Sequence, residues 1–209
     1  KGSGSGIGEL EDLLHLRGGL SIRNLNNVID TGDAMKAKLK DKKDLDVVEM
    51  RWSGEFDDTR NQRVEADVLN ELQPHENLQK LFISYYGGIS FPNWMGDPSF
   101  SNITGIHLHK CKNCTSLPPL GVLPSLKILS MREMIGVKQV GVEFYVSVKP
   151  FPLLESLSIE GFSEWVEWFF PSSTDHGDFE IFPCLRKLSI LDCPKLLREL
   201  PGHLPSLEK

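Results

Sequence analysis

One short pattern, LxxLxI, recurs in phase along almost the whole chain. Leu45-Val48-Met50, Leu78-Leu81-Ile83, Ile103-Ile106-Leu108, Leu126-Leu129-Met131, Leu154-Leu157-Ile159 and Leu185-Leu188-Ile190 carry it in full. A further copy, around Leu20 and Ile22, has Arg17 where its first aliphatic belongs. In an extended strand, residues two apart share a face, so the aliphatics at +3 and +5 point into one interior. A strand this short cannot bury that face alone. In-phase recurrence means that neighbouring copies stack and bury it for one another, which is a solenoid. A solenoid offers a long continuous surface, and its first use is binding.

The pattern runs past the strand. Three residues beyond each final aliphatic stand Leu25, Ser53, Tyr86, Cys111, Met134, Phe162 and Cys193, apolar or cysteine in all but one repeat. Three further on stand Val28, Phe56, Ile89, Cys114, Val137, Trp165 and Leu196, apolar in every repeat and expected to point inward. Together the columns specify a leucine-rich repeat. The expected architecture is an α/β repeat protein, a single leucine-rich repeat domain over residues 1–209. It has a parallel concave sheet of about seven strands. At about 4.8 Å per rung the stack is roughly 30 Å long, a short arc. The chain opens on Lys1-Gly2-Ser3 and reaches Leu207 as the start of another copy. No capping repeat is visible, so a piece of a longer protein, open at both ends, is expected.

Steps between copies range from 23 to 33 residues, and the longer ones need insertions opposite the strands. Residues 30–44 hold good helix formers behind Asp30 or Thr31 as cap, with Ala34, Ala37 and Leu39 as inner stripe. The mixed run Lys36 to Asp44 reads as the solvated outer face of that helix. After a polar loop, Glu55 to Arg63, a second convex helix is expected over 65–73, stopping before Pro74. Beyond residue 92 the prolines leave only irregular convex turns. An insertion loop over 161–182 carries Trp165 and Trp168 in the inward rhythm and Phe169 and Phe170 outside it. Its stretch Ser172 to Asp178 reads as a mobile loop.

Chemistry-bearing residues are few. Cys111-Lys112-Asn113-Cys114 has the spacing of half a zinc site. Both cysteines, however, occupy the inward columns filled elsewhere by Met134 and Val137, so buried thiols packed as small hydrophobes are expected. His107 and His109 share a strand face but have no third ligand beside them. There is no HExxH, no nucleophile elbow and no acid pair beside a base, so neither catalysis, a metal nor a cofactor is expected. The net charge of −6 argues against a nucleic-acid partner, and no apolar stretch is long enough for a membrane span.

Several stretches resemble the leucine-rich region of plant intracellular nucleotide-binding immune receptors of the coiled-coil class. They are Leu20-Ser21-Ile22 with Leu25, Asn27 and Val28; Met50-Arg51-Trp52; Tyr86-Gly87-Gly88 before Phe91-Pro92-Asn93-Trp94; and Leu117-Pro118-Pro119-Leu120-Gly121. Leu123-Pro124-Ser125-Leu126, Val140-Gly141 before Phe144-Tyr145, and Phe151-Pro152 before Leu154-Glu155 complete the series. The resemblance covers essentially the whole chain and departs only in Arg17 and in Val48 where leucine is usual. It implies a cytoplasmic protein-interaction sensor and autoinhibitory region of an immune receptor. Its partners would be a pathogen effector or a guarded host protein, and, within the receptor, a nucleotide-binding domain. That nucleotide switch is not encoded here, since no GxxxxGK[ST] occurs. The alternative is another leucine-rich binding module, a ubiquitin-ligase substrate arm or a receptor ectodomain.

A partner would meet the side chains between the aliphatics. These form two outward columns: Ser21, Glu49, Phe82, His107, Ser130, Ser158, Ser189, and Arg23, Arg51, Ser84, His109, Arg132, Glu160, Leu191. The richest group there is Arg51, Phe82, Tyr85, His107, His109 and Arg132, and aromatics and arginine dominate interface hot spots.

Overall fold

The structure, a computed structural model, describes residues 6–54, 60–147, 149–170, 181–197 and 204–208. Its strands are β1 (Gly18–Arg23), β2 (Leu45–Arg51), β3 (Lys80–Ser84), β4 (Gly105–His109), β5 (Ile128–Arg132), β6 (Gln139–Val140), β7 (Ser156–Glu160), β8 (Glu167–Trp168) and β9 (Lys187–Leu191). Seven of them form one parallel sheet in the order β1-β2-β3-β4-β5-β7-β9. Parallel neighbours need a crossover, and described residues of the connections, among them Leu69, Trp94, Leu120 and Phe144, join the strand aliphatics in one core.

The register is the one the repeat demands. Leu20, Val48, Leu81, Ile106, Leu129, Leu157 and Leu188 lie side by side, and so do Ile22, Met50, Ile83, Leu108, Met131, Ile159 and Ile190. From Val48 to Ile159 these side chains are essentially buried, while Leu20, Ile22, Leu188 and Ile190 on the end rungs are only partly so. Each interior leucine or isoleucine contributes about 1.5–3 kcal/mol of burial, an upper estimate given a compact unfolded chain. At the far end Glu208 N–H donates to Arg186 O at 2.9 Å, as Arg186 does to Glu155 and Glu155 to Lys127. The start of an eighth rung is therefore in place.

What turns the chain inward after each strand is a left-handed residue. Asn24, Tyr85, Lys110, Glu133, Gly161 and Asp192 each lie two positions past the last strand aliphatic and have φ between +52° and +71°. That conformation costs a non-glycine residue about 1–2 kcal/mol. Burial of the next side chain (Leu25, Tyr86, Cys111, Met134 or Phe162) offsets it. The second rung breaks this rule. Trp52 stays out of the left-handed region, and its N–H continues the ladder to Ser84 O at 3.0 Å. Its indole takes the interior place, 5.1 Å from the Tyr86 ring, and Ser53 is left half-buried.

The second inward column also has an exception. Cys114, Val137 and Trp165 are buried as expected, but Ile89 is 54% exposed. In the same turn Tyr86 is fully buried, with its hydroxyl donating to Ser90 O at 2.8 Å. Gly88 passes so close to that ring that a Cβ there would collide with it. Phe56 lies outside the described residues.

On the convex side, α1 (Thr31–Lys36) is much shorter than the helix expected over 30–44. Asp30 caps it through Gly32 N–H at 2.8 Å; Lys38, at φ +47°, breaks it, and a 3-10 turn follows at Leu39–Asp41. Ala34, Ala37 and Leu39 do point inward. Lys42 corrects the reading of this run as a solvated face. Its side chain is buried, with Nζ donating to Leu10 O at 2.7 Å and Leu13 O at 3.2 Å. Burial holds its ammonium below the usual lysine range. Lys42→Ala is expected to cost about 2 kcal/mol, the value of charge-assisted hydrogen bonds to otherwise unpaired carbonyls. Hydrogen exchange should rise first around Ile7–Leu13; unchanged protection there would show that Lys42 does not anchor this segment.

Helix α2 (Gln62–Glu71) begins three residues before the expected start, because Asn61 accepts from Arg63 and Val64 N–H at 3.1 Å each. It buries Val68, Leu69 and, unexpectedly, Glu65, and it packs on α1. After residue 92 the turns are 3-10 at Asn93–Gly96, Leu120–Val122 and Val142–Phe144. The turns there are joined by a small convex sheet, β6 paired parallel with β8 through Gln139–Glu167 and Val140–Trp168. Trp165 and Trp168 are buried, and Trp168 Nε1–H donates to the Tyr145 hydroxyl. Phe169 remains 36% exposed. The expected loop Ser172 to Asp178 lies outside the described residues. No helix among those described is long and apolar enough to cross a membrane.

Candidate protein-interaction face

The two outward columns read from the sequence are true rows of the sheet. Ser21, Glu49, Phe82, His107, Ser130, Ser158 and Ser189 are paired rung to rung, as are Arg23, Arg51, Ser84, His109, Arg132, Glu160 and Leu191. The structure brings five of the six candidate residues into two contacting groups on adjacent columns. Phe82 and His107 stack with centroids 4.5 Å apart and planes 3° from parallel. Tyr85, in the left-handed turn after β3, folds back against its neighbours. The Arg51 guanidinium sits 4.8 Å from its ring centroid, Lys110 Nζ 5.6 Å, and the His109 ring meets its edge at 5.4 Å. Cations over an aromatic face are attracted by its quadrupole. Arg132, the sixth, turns the other way and donates its Nε–H to Glu160 at 2.7 Å.

Lys110 and Glu133 belong to this group but were not among the candidates. Both Lys110 Nζ and His109 Nε2 lie 3.4 Å from Glu133 Oε1. Partial burial pushes the Glu133 carboxyl up, but hydrogen bonds from Lys110 and His109 outweigh it and hold the group below its usual value. The sequence signal was their place: both lie two residues past the last strand aliphatic, at the left-handed position. Burial, with Lys80 nearby, holds His107 below the ordinary imidazole value. It therefore presents a neutral ring at neutral pH.

Beneath Tyr85 lies a buried ion pair. Arg60 Nε and an Nη of the same guanidinium each donate to a Glu65 oxygen at 2.7 Å, with both side chains at most 10% exposed. The guanidinium also donates to Ser53 O at 3.2 Å and Tyr85 O at 2.8 Å, and Glu65 accepts Gly87 N–H at 2.7 Å. One bidentate pair thus ties the exits of β2 and β3 to the start of α2.

Cys111 and Cys114 are fully buried and free, as the inward columns required. Burial pushes the Cys111 thiol up to about 12 and Cys114 well above its usual value, so both stay protonated. No three His, Cys, Asp or Glu among the described residues are placed to hold a metal ion. The concave face offers contact chemistry: stacked rings, cations and few fixed carboxylates.

Residues 7–134 match the family profile of the R13L1/DRL21 LRRs. The chain belongs to this leucine-rich repeat family. Over 98% of its length it is 42% identical to an Arabidopsis thaliana protein named for disease resistance, RPP13-like protein 1. Over 97% it is 34% identical to the Solanum bulbocastanum protein RGA4, and over 91% it is 32% identical to RGA2 of the same species, both also named for disease resistance. The chain spans about a fifth of the length of each. No solved structure matches it. The resemblance to the leucine-rich region of plant nucleotide-binding resistance proteins therefore stands, and this repeat family is a protein-interaction fold.

Proposed function

We propose that this chain is the sensor and autoinhibitory arm of an intracellular plant immune receptor. It recognises a pathogen effector or an effector-modified host protein and restrains a nucleotide-binding domain. The observation that carries this reading is the neighbouring pair of contact groups on the concave sheet, the Phe82–His107 stack and the cluster of Arg51, Tyr85 and His109. Membership of a family whose relatives are named for disease resistance supports it. Large rings and an arginine held in place lose little freedom on binding, which is what makes such residues hot spots.

The test exchanges the corresponding stretch of the Arabidopsis RPP13-like protein for this chain and expresses the hybrid in leaves. Arg51→Glu with Arg132→Glu should change resting or triggered signalling at unchanged protein abundance. Leu129→Ala, in the interior of β5 and 0% exposed, should instead lower abundance through a loss of about 2–5 kcal/mol. If both changes act only through abundance, the concave face has no role in signalling and the reading fails.

A further inference from the structure

The concave face does not share the chain's overall sign. The whole sequence carries −6, yet the rungs β1 to β3 present Arg23, Arg51 and Lys80 outward. Arg23 and Arg51 are direct partners on adjacent strands, and Lys80, paired with Val47, lies two outward columns over, beyond the Phe82 column. Like charges directly opposite on one sheet face are unfavourable. None of the three meets a carboxylate within ion-pair distance among the described residues; Arg51 lies over the Tyr85 ring and Arg23 Nε–H donates to Ser21 Oγ at 3.3 Å. Two carboxylates lie on the same strands, Glu49 in the outward row beside Phe82 and Asp46 at the start of β2, and both take hydrogen bonds from neutral donors. Glu49 accepts the Ser21 hydroxyl at 2.8 Å and Asp46 accepts Gln79 Nε2 at 3.0 Å.

From the exit of β4 onward the face is built differently. There Arg132 is matched by Glu160, and Lys110 and His109 by Glu133. Among the described residues the ion pairs of this face lie there and none involves Arg23, Arg51 or Lys80, although Lys187 on β9 also lacks one. Between the cations lies an apolar floor, the Phe82–His107 stack, bordered by Gly105, whose missing side chain leaves the surface low beside Lys80. A surface with unpaired cations flanking an apolar floor fits a chain that brings carboxylates and an apolar side chain together.

We propose that the β1–β4 half of the concave face is the docking strip for an acidic polypeptide segment. Its carboxylates are met by Arg23, Arg51 and Lys80, and an apolar side chain rests on Phe82 and His107. This deepens the reading of the chain as a protein-binding arm and rests on it. Opposite charge raises the association rate and disfavours basic competitors.

The test uses the chain itself and fluorescein-labelled decaglutamate, followed by anisotropy, with a labelled single-stranded oligodeoxynucleotide of equal charge as the rival anion. The peptide should bind at low ionic strength and weaken as salt shortens the screening length. Arg23→Glu with Arg51→Glu should weaken it about tenfold or more, and Arg23→Gln with Arg51→Gln by less. Lys40→Glu, on the convex side, should leave it unchanged, with circular dichroism alike for all variants. Absence of peptide binding at low salt, equal loss with Lys40→Glu, or oligonucleotide binding as tight as the peptide's would each overturn the proposal. Failure here with an altered signalling phenotype in the hybrid receptor removes only the acidic partner. Binding here with no such phenotype removes the receptor reading instead.

Discussion

Glu65→Ala should destabilise the chain by about 3–5 kcal/mol, a far larger loss than a helix-surface glutamate would give. The removed carboxylate leaves the Arg60 guanidinium buried without its counter-charge and Gly87 N–H without its acceptor. Urea denaturation gives the magnitude. Arg60→Met with Glu65→Leu should recover much of it, since replacing both charges leaves no unpaired ion in the interior. The double variant still lacks the donor to Tyr85 O, so faster exchange of backbone amides around Tyr85 is expected even where stability returns. A loss below about 1 kcal/mol for Glu65→Ala would place the pair among ordinary surface ion pairs.

Trp165→Ala should cost about 3–5 kcal/mol, the range for removing a large aromatic from a core. The ring is fully buried, 5.8 Å from Phe162 and 5.2 Å from Trp168, and its Nε1–H donates to Glu167 O at 2.9 Å. Its loss opens a void beneath β8 and frees the carbonyl that helps hold that strand. Local opening of β6 and β8 should therefore precede global unfolding, visible as early loss of amide protection at Phe169, which donates to Val140 O. Phe169→Ala, at a half-exposed ring, should change stability by no more than about 0.5 kcal/mol. Equal effects from the two substitutions would contradict the assignment of Trp165 to the core.

How far the sequence was legible follows from what kind of interaction decided each feature. A period-two strand inside a longer repeat fixes which side chains face in, so the register of seven rungs and both outward rows could be read directly. The same logic placed Cys111 and Cys114 inside. Features set by one-off competition could not be read that way. Trp52 displaced Ser53 because the second rung omits its left-handed turn, and no pattern marks that omission. Ile89 faces out of a turn whose interior holds Tyr86 and its bond to Ser90 O, a side-chain arrangement the column pattern does not carry. Lys42 and Glu65 looked solvated because charge usually is; each is buried against a specific partner that lies far off in sequence or in a loop. The small β6–β8 sheet needs two insertions to meet, which single-repeat reasoning does not see. At the candidate face, the membership of Arg51, Phe82, His107 and His109 was legible as columns. The grouping around Tyr85, and the departure of Arg132 toward Glu160, required the actual distances.

The central claim is that specificity resides in the two outward rows of the concave sheet. It is tested most directly by substituting every exposed described position in the hybrid receptor and measuring signalling and protein abundance together. The account predicts that changes affecting signalling at normal abundance cluster at Arg23, Arg51, Phe82, Tyr85, His107 and His109. Changes in the buried columns should act only through abundance. Signalling-specific positions scattered evenly, or gathered on the convex turns, would contradict it.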